Sequence, residues 1–253
     1  MKNYEEEFAD RVAFIRNVLA DAHADGIVYG NSGGKDSALV GILCKAACEN
    51  TVGLIMPCTS SRNYGTDKTD AELVAGQFGI AAQIVDLTNA KNELLKSLGE
   101  KTALSDTAMA NIAPRLRMAV LYAVAASKNY LVAGTGNRSE GHMGYFTKWG
   151  DGAFDFNPIA DLTVSEIYEL LRYVNAPESI IQKAPSAGLL DQQTDEAEMG
   201  ISYRSIDKFL LYGTANKEDT AIIDKYHKSS AHKRSMPVVF HRQDGFAKEE
   251  AKP

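Results

Sequence analysis

The chain is predicted to be an α/β protein: a parallel sheet with helices on both faces, followed by a helical C-terminal part. Three observations carry this. Short apolar runs at residues 27–29, 52–56, 82–86 and 130–133 read as buried parallel strands. Helix-forming stretches alternate with them, so the crossovers are right-handed and cover both faces. The glycine-rich turn after the first run and the polar loop after the last one would meet beyond the strands' carboxyl ends, where such sheets bind ligands.

Residues 4–25 carry Phe8, Val12, Ile15, Val18, Leu19 and Ala22 at three- and four-residue spacing. That is the apolar stripe of an amphipathic helix, which Gly26 stops. It would pack on the sheet of its own domain or against a second copy of the chain. Strand 27–29 leads into Gly30, Asn31, Ser32, Gly33, Gly34, Lys35, Asp36 and Ser37, and helix formers run from Ala38 to Ala47. Strand, glycine turn and helix together aim several backbone N–H groups at one place, where the helix macrodipole also favours an anion. Gly33 and Gly34 let the backbone approach a phosphate and allow positive φ. Ser32 and Ser37 add hydroxyls, Lys35 a charge, and Asp36 a carboxylate for a divalent cation. This is not a Walker A loop, because Tyr29 stands at the first glycine's place and Asp36 at the hydroxyl's. A G-x-G-x-x-G fingerprint is also absent, since Gly134-Thr135-Gly136 continues as Asn-Arg-Ser.

Strand 52–56 closes at Pro57, and a polar loop with Ser60, Ser61, Arg62 and Asn63 follows. Thr66 or Asp67 is placed to cap a helix that ends near Gly79. Strand 82–86 and a helix over 89–98 come next. Residues 106–128 read as helical, with Pro114 near the first turn of the longer part. Leu116, Val120, Leu121, Val124 and Ala125 face inward there; packing does not explain Arg115 and Arg117. Strand 130–133 ends in the polar loop 134–140. Thr135 is a candidate phosphate or ribose contact, and Asp36 and Glu140 suit Mg²⁺, which shares one or two carboxylates with substrate phosphates. Residues 146–159 read as a shaped polar loop holding the only Trp. A helix over 163–174 is capped by Thr163 or Asp161. Residues 184–202 read as a lid or a solvated connector. Helices return near 203–211 and 216–229, and 241–253 read as a polar tail.

With 253 residues the chain can form one domain, its core spanning about 4–240. No run reaches the length of a membrane span, and Glu5, Glu6 and Glu7 are unlike a signal peptide. Cys44, Cys48 and Cys58 lack C-x-x-C spacing and read as small apolar residues of a cytoplasmic, reducing compartment. A net charge of −6 disfavours nucleic acid as a partner. His227 and His232 have no acid or cysteine at ligand spacing, which points to substrate rather than metal.

Ser32-Gly33-Gly34-Lys35-Asp36-Ser37 resembles the loop of the N-type ATP pyrophosphatases, which cleave ATP between its α and β phosphates. Further motifs follow in order. They are Asn111-Ile-Ala-Pro-Arg115-Leu-Arg117-Met118, Gly134-Thr135 with Glu140, Phe146-Thr-Lys148-x-Gly-Asp-Gly152, Asp155-x-Asn-Pro158 and His232-Lys233-Arg234. Taken together over residues 27–240, the chain resembles the ammonia-dependent NAD synthetases. The resemblance implies a Rossmann-like sheet of the adenine nucleotide alpha-hydrolase kind and a ligase that forms a C–N bond. Its reaction would be ATP- and Mg²⁺-dependent amidation of deamido-NAD by ammonia to NAD, AMP and pyrophosphate, through an adenylated intermediate, as the last step of NAD biosynthesis. It also implies a homodimer with the dinucleotide near the interface, and no membrane partner. Glutamine-using relatives carry a long N-terminal amidase domain, for which this chain has no room.

Carried over by position, the resemblance assigns Gly30 to Ser37, Thr135 and Ser186 to ATP, and Asp36 and Glu140 to Mg²⁺. It assigns Arg115, Lys148, Asp155, His232 and Lys233 to deamido-NAD. No covalent nucleophile is expected and no general base is assigned. Val164 departs from the pattern, since many members have an ATP-contacting lysine there; either Lys35 or Lys183 substitutes, or ATP is held more weakly. Two alternatives stand beside this reading: another N-type ATP pyrophosphatase that amidates or thiolates a different acceptor, and a non-catalytic nucleotide-binding module.

Overall fold

Four short runs pair into one sheet. The computed structural model describes residues 3–58, 60–183 and 195–240. In it β1 (Gly26–Gly30), β2 (Thr51–Ile55), β3 (Ala81–Ile84) and β4 (Tyr130–Ala133) lie in the order β3-β2-β1-β4. All pairs are parallel, with Val28 opposite Val52 on one side and Val132 on the other. The chain steps outward from β1 to β3 and then returns to place β4 on the opposite flank. The switch point therefore falls between β1 and β4, and the turns that leave these two strands share one crevice.

The first helices are α1 (Tyr4–Asp21), α2 (Lys35–Ala47), α3 (Ser61–Tyr64), α4 (Thr66–Phe78), α5 (Thr88–Gly99) and α6 (Asp106–Ala110). Then come α7 (Ile112–Lys128), α8 (Arg138–Met143), α9 (Val164–Tyr173) and α10 (Glu178–Gln182). The last are α11 (Asp195–Met199), α12 (Tyr203–Tyr212) and α13 (Lys217–Ser229), followed by a 3₁₀ turn at Ala231–Lys233. Strand alternation sorts the faces. Ile27 and Tyr29 enter a core with α1, α2, α4, α9 and α10, while Val28, Val52, Leu54 and Val132 pack against α7. A third core of Met143, Val164, Ile201, Ile206 and Ile223 seats α12 and α13 on α8 and α9. The α/β class, the helices on both faces and the helical C-terminal part all match the sequence reading.

Several elements start or stop elsewhere than the local sequence implies. Helix α1 ends at Asp21 rather than near 25. His23 turns to φ +50°, and Asn129 Nδ2 donates to the His23 carbonyl at 2.9 Å and to Asp25 at 3.1 Å. Val12, Ile15 and Leu19 are buried against the chain's own sheet; Ala22 is exposed. Helix α2 begins at Lys35, not Ala38, which brings Lys35, Asp36 and Ser37 into its first turn. The polar stretch around Ser61 contains α3. Gly65, rather than Thr66 or Asp67, caps α4. The Asp67 carboxylate is engaged by Lys183 and Asn63 instead. Strand β3 runs over Ala81–Ile84, ahead of the expected 82–86.

The helical stretch 106–128 breaks at Asn111 into α6 and α7, with Pro114 in the first turn of α7 as expected. The loop expected over 134–140 gives way at Arg138 to α8, because Asn137 caps it. The end of the 146–159 loop pairs with β4, Gly134 N donating to the Phe156 carbonyl at 2.8 Å. Thr163 caps α9, whereas Asp161 binds Arg11. Of the stretch read as a lid or connector, 184–194 lie outside the described residues and 195–199 form α11. The tail 241–253 is likewise outside them. Cys44 and Cys58 are buried, Cys48 is half-buried, and none of the three forms a disulfide among the described residues.

Candidate active site

A cavity of about 790 Å³ opens where β1 and β4 end. From the first turn come Gly30, Ser32, Lys35, Asp36 and Ser37; from beyond β4 come Thr135 and Glu140. The turn is held internally. Ser32 Oγ lies 3.0 Å from Ser37 Oγ, and Ser37 Oγ donates to the Gly34 carbonyl at 3.0 Å. Gly33 takes φ +70°, a conformation that costs glycine nothing. Asn31 faces away from the cavity: its Nδ2 donates to the Ala71 carbonyl of α4 at 3.1 Å.

The electrostatics centre on Lys35, Asp36 and Glu140. Lys35 is buried, and its Nζ sits 2.8 Å from Asp36 Oδ2 and 5.6 Å from the centre of the Tyr203 ring. Burial alone would lower the lysine's pKa, but Asp36 and Glu140 outweigh it and hold the ammonium above its ordinary range. The other oxygen of Asp36 accepts from Asn137 Nδ2 at 3.0 Å, so the turns after β1 and β4 are bonded to each other. Asn137 also caps α8, accepting from Glu140 N at 2.9 Å while its own N–H donates to Glu140 Oε2 at 3.1 Å. Burial first, and then the charge of Asp36, push the Glu140 carboxyl up to about 8, against the opposing pull of Lys35 and the Asn137 amide. Two half-buried carboxylates that strain against each other at a cavity wall suit a hard divalent cation. Among the described residues no group of three or more His, Cys, Asp or Glu is arranged around one point. A pair completed by substrate oxygens matches Mg²⁺ better than an all-protein cage.

Residues that no site motif singled out fix α8 in place. Buried Asp207 of α12 accepts from Ser139 Oγ at 2.6 Å and from the Ser165 N–H and hydroxyl at 2.7 and 2.6 Å, tying α8, α9 and α12 together. Asp195 and Glu198 of α11 also line the cavity. The Asn-x-x-Glu spacing of 137 and 140 is a capping-box signal readable in the sequence; Asp207, 68 positions from Ser139, has no such signal.

The residues expected at the dinucleotide are spread out. Lys233 lines the cavity, and its Nζ donates to the carbonyls of Gly144 and Phe146 at 2.8 and 2.7 Å. Arg115, Lys148 and His232 form one rim outside the cavity wall. Arg115 bonds the Lys148 carbonyl at 3.3 Å, and Lys148 Nζ bonds the His232 carbonyl at 2.6 Å. Asp155 is turned to the sheet edge, accepting from Val132 N at 2.7 Å and Tyr122 OH at 3.2 Å. Arg117 reaches the cavity instead, bonded to the Met56 carbonyl at 3.1 Å and Asn63 at 3.2 Å. Ser186 lies outside the described residues. Val164 is a buried member of the third core; of the two lysines named as substitutes for the missing one, Lys35 faces the cavity and Lys183 lies behind the turn.

This geometry has relatives. The family model described as NAD synthase matches residues 7–242. An NH(3)-dependent NAD(+) synthetase of Carboxydothermus hydrogenoformans is 45% identical over 240 residues, covering 94% of this chain and 98% of that protein. Among solved structures, an NMN synthetase from Francisella tularensis superposes with a TM-score of 0.90 at 35% identity, over 96% of this chain and all of that one. An NH3-dependent NAD synthetase from Campylobacter jejuni gives 0.79 at 31% identity, over 95% of this chain and 100% of that one. A matched model over nearly the whole length, on a sheet whose switch point carries the phosphate-type turn and the carboxylate pair, places the chain in the NAD synthase family.

Proposed function

We propose that the chain makes NAD by ATP-dependent amidation. The nicotinate carboxylate of deamido-NAD attacks the α-phosphorus of ATP and pyrophosphate leaves; ammonia then displaces AMP from the acyl adenylate. One observation carries this reading: an amide-rich turn at a helix start, a half-buried carboxylate pair and the cations Arg117 and Lys233 all face one cavity. A free carboxylate would have to expel oxide, so activation must precede attack by ammonia. No enzyme nucleophile is needed. The work is to hold two mutually repelling anions in line and to offset phosphate charge.

In this reading Ser32, Gly33, Gly34, Lys35 and Ser37, with Thr135, hold the triphosphate, and Gly30 and Asn31 shape the turn. Lys35 is the cation where relatives of the same pattern use a lysine at the place of Val164. Asp36 and Glu140 would hold Mg²⁺, which when bound supplies positive charge to the phosphates. Lys233 and the rim of Arg115, Lys148 and His232 take the dinucleotide acid, while Asp155 acts through the edge of β4. The single domain of about 4–240 is the catalytic unit. It works as a homodimer: α7 fully buries only Ile112, Ala113, Pro114 and Ala125, leaving Leu116, Val120 and Val124 half-exposed for a second copy. Three cysteines outside any disulfide among the described residues suit the reducing cytoplasm. Among the described residues no helix is long and apolar enough to cross a membrane.

The likeness to an NMN synthetase favours a second acid substrate, the mononucleotide. The deciding assay gives the protein ATP, Mg²⁺ and ammonium with deamido-NAD and nicotinic acid mononucleotide side by side. NAD, AMP and pyrophosphate in equal amounts are the expected products. NMN as the main product would move the assignment to the mononucleotide, and ATP binding without AMP formation would leave a nucleotide-binding module.

A further inference from the structure

Behind the phosphate turn, away from the cavity wall, lies an ionic knot that the proposed chemistry does not use. Lys183, just after α10, sets its Nζ 2.8 Å from Asp67 Oδ1 and 2.8 Å from Asp70 Oδ2, both on α4, and 3.0 Å from the Gly33 carbonyl. Ser179 donates to the second oxygen of Asp70 at 3.1 Å, and Asn63 to that of Asp67 at 3.2 Å. An ammonium has three N–H donors. Three acceptors are in reach, so Lys183 has no donor left for a substrate phosphate.

The Gly33 carbonyl and the Gly34 N–H belong to one trans peptide unit and point in opposite directions. Lys183 draws the carbonyl toward α4. The Gly34 N–H is thereby turned to the other side, toward Ser32 Oγ at 3.3 Å, and Ser32 lines the cavity. Within the turn itself only that long bond to the exposed Ser32 hydroxyl keeps it so. Rotating the unit by half a turn carries Gly34 from its φ of −97° to a positive value, which glycine accepts without cost. The rotated unit would present a carbonyl oxygen, not an N–H, to an anion in the cavity. We propose that Lys183 is a positioning residue that locks the Gly33–Gly34 peptide in its anion-binding orientation, with Asp67 and Asp70 holding the ammonium in place. The lock rests on reading residues 32–37 as the phosphate cradle.

The test is calorimetric titration of the full chain with inorganic pyrophosphate and Mg²⁺. It compares wild type, Lys183→Arg, Lys183→Met and Lys183→Met combined with Asp70→Asn, each with its melting temperature. Lys183→Met is expected to weaken pyrophosphate about tenfold or more, the loss of one charge-assisted hydrogen bond's influence. Lys183→Arg keeps a donor for the Gly33 carbonyl and should bind within about threefold of wild type. The double variant should stay weak, because it restores charge balance but not the donor. In turnover, KM for ATP rises while KM for deamido-NAD holds. Should Lys183→Met melt too low to assay, Asp70→Asn, which loosens the ammonium, is expected to give an intermediate loss. Wild type that binds no pyrophosphate removes the cradle and the lock with it. Wild-type affinity in Lys183→Met or Asp70→Asn, or full recovery in the double variant, overturns the lock alone.

Discussion

Replacing Gly33 by alanine probes whether the phosphate turn owes its shape to backbone constraint. Two costs can be worked from the structure. At φ +70° an L-residue is strained by about 1–2 kcal/mol. A Cβ there would also lie 2.0 Å from the Asp67 carbonyl oxygen, 2.9 Å from its carbon and 3.1 Å from Ala71 N. These are backbone atoms of α4, which cannot swing aside as a side-chain tip can, so overpacking adds about 1–3 kcal/mol. The sum is about 2–5 kcal/mol, and at about 2–4 °C per kcal/mol for a chain of this size the melting temperature falls by about 4 °C or more. Gly34→Ala is the internal control. Its φ is −97°, and its nearest neighbour is the Ser32 hydroxyl at 3.3 Å, which can rotate. Thermal melts of both variants, followed by pyrophosphate titration, separate the outcomes. If Gly33→Ala melts with the wild type, or no lower than Gly34→Ala, the backbone argument fails.

Three other outcomes are expected. Asp36→Ala should lower turnover by roughly 10²–10³, whereas Cys44→Ala, which empties a fully buried site in α2, should cost about 1 kcal/mol of stability and leave kcat near wild type; steady-state kinetics on both would expose a misplaced site if they matched. Exchange of Mg²⁺ for EDTA should stop turnover with little change in the melting temperature of the ligand-free chain. The Arg11 hydrogen bond holds the carboxyl of exposed Asp161 below the ordinary carboxylate range. A depressed folded-state value stabilises above the unfolded pKa of about 3.9 and is lost as pH falls through the folded one. Asp161→Asn should therefore melt lower at neutral pH and change less on acidification below about pH 4, and a variant as acid-sensitive as wild type would refute the pairing.

How far the sequence reaches depends on the range of each cause. Strands β1, β2 and β4, the turn between β1 and α2, and the Thr163 cap follow from neighbours within a few residues, so composition and spacing were enough to find them. The same local chemistry pointed to Asp36, Lys35, Thr135 and Glu140, all of which line the cavity. Arg115 and Arg117 show where that reach ends. Two residues apart on a helix they point about 200° apart, and only the packing of α7 decides that Arg117 enters the cavity while Arg115 joins the rim. Asn137 and Asp36 are 101 positions apart, and Lys183 and Gly33 150. Bonds across such separations exist only once the sheet order is set, because the order alone brings the turn after β1 against α8 on one side and α10 on the other. Local chemistry chose the groups that meet a phosphate; the closed topology chose which way they point.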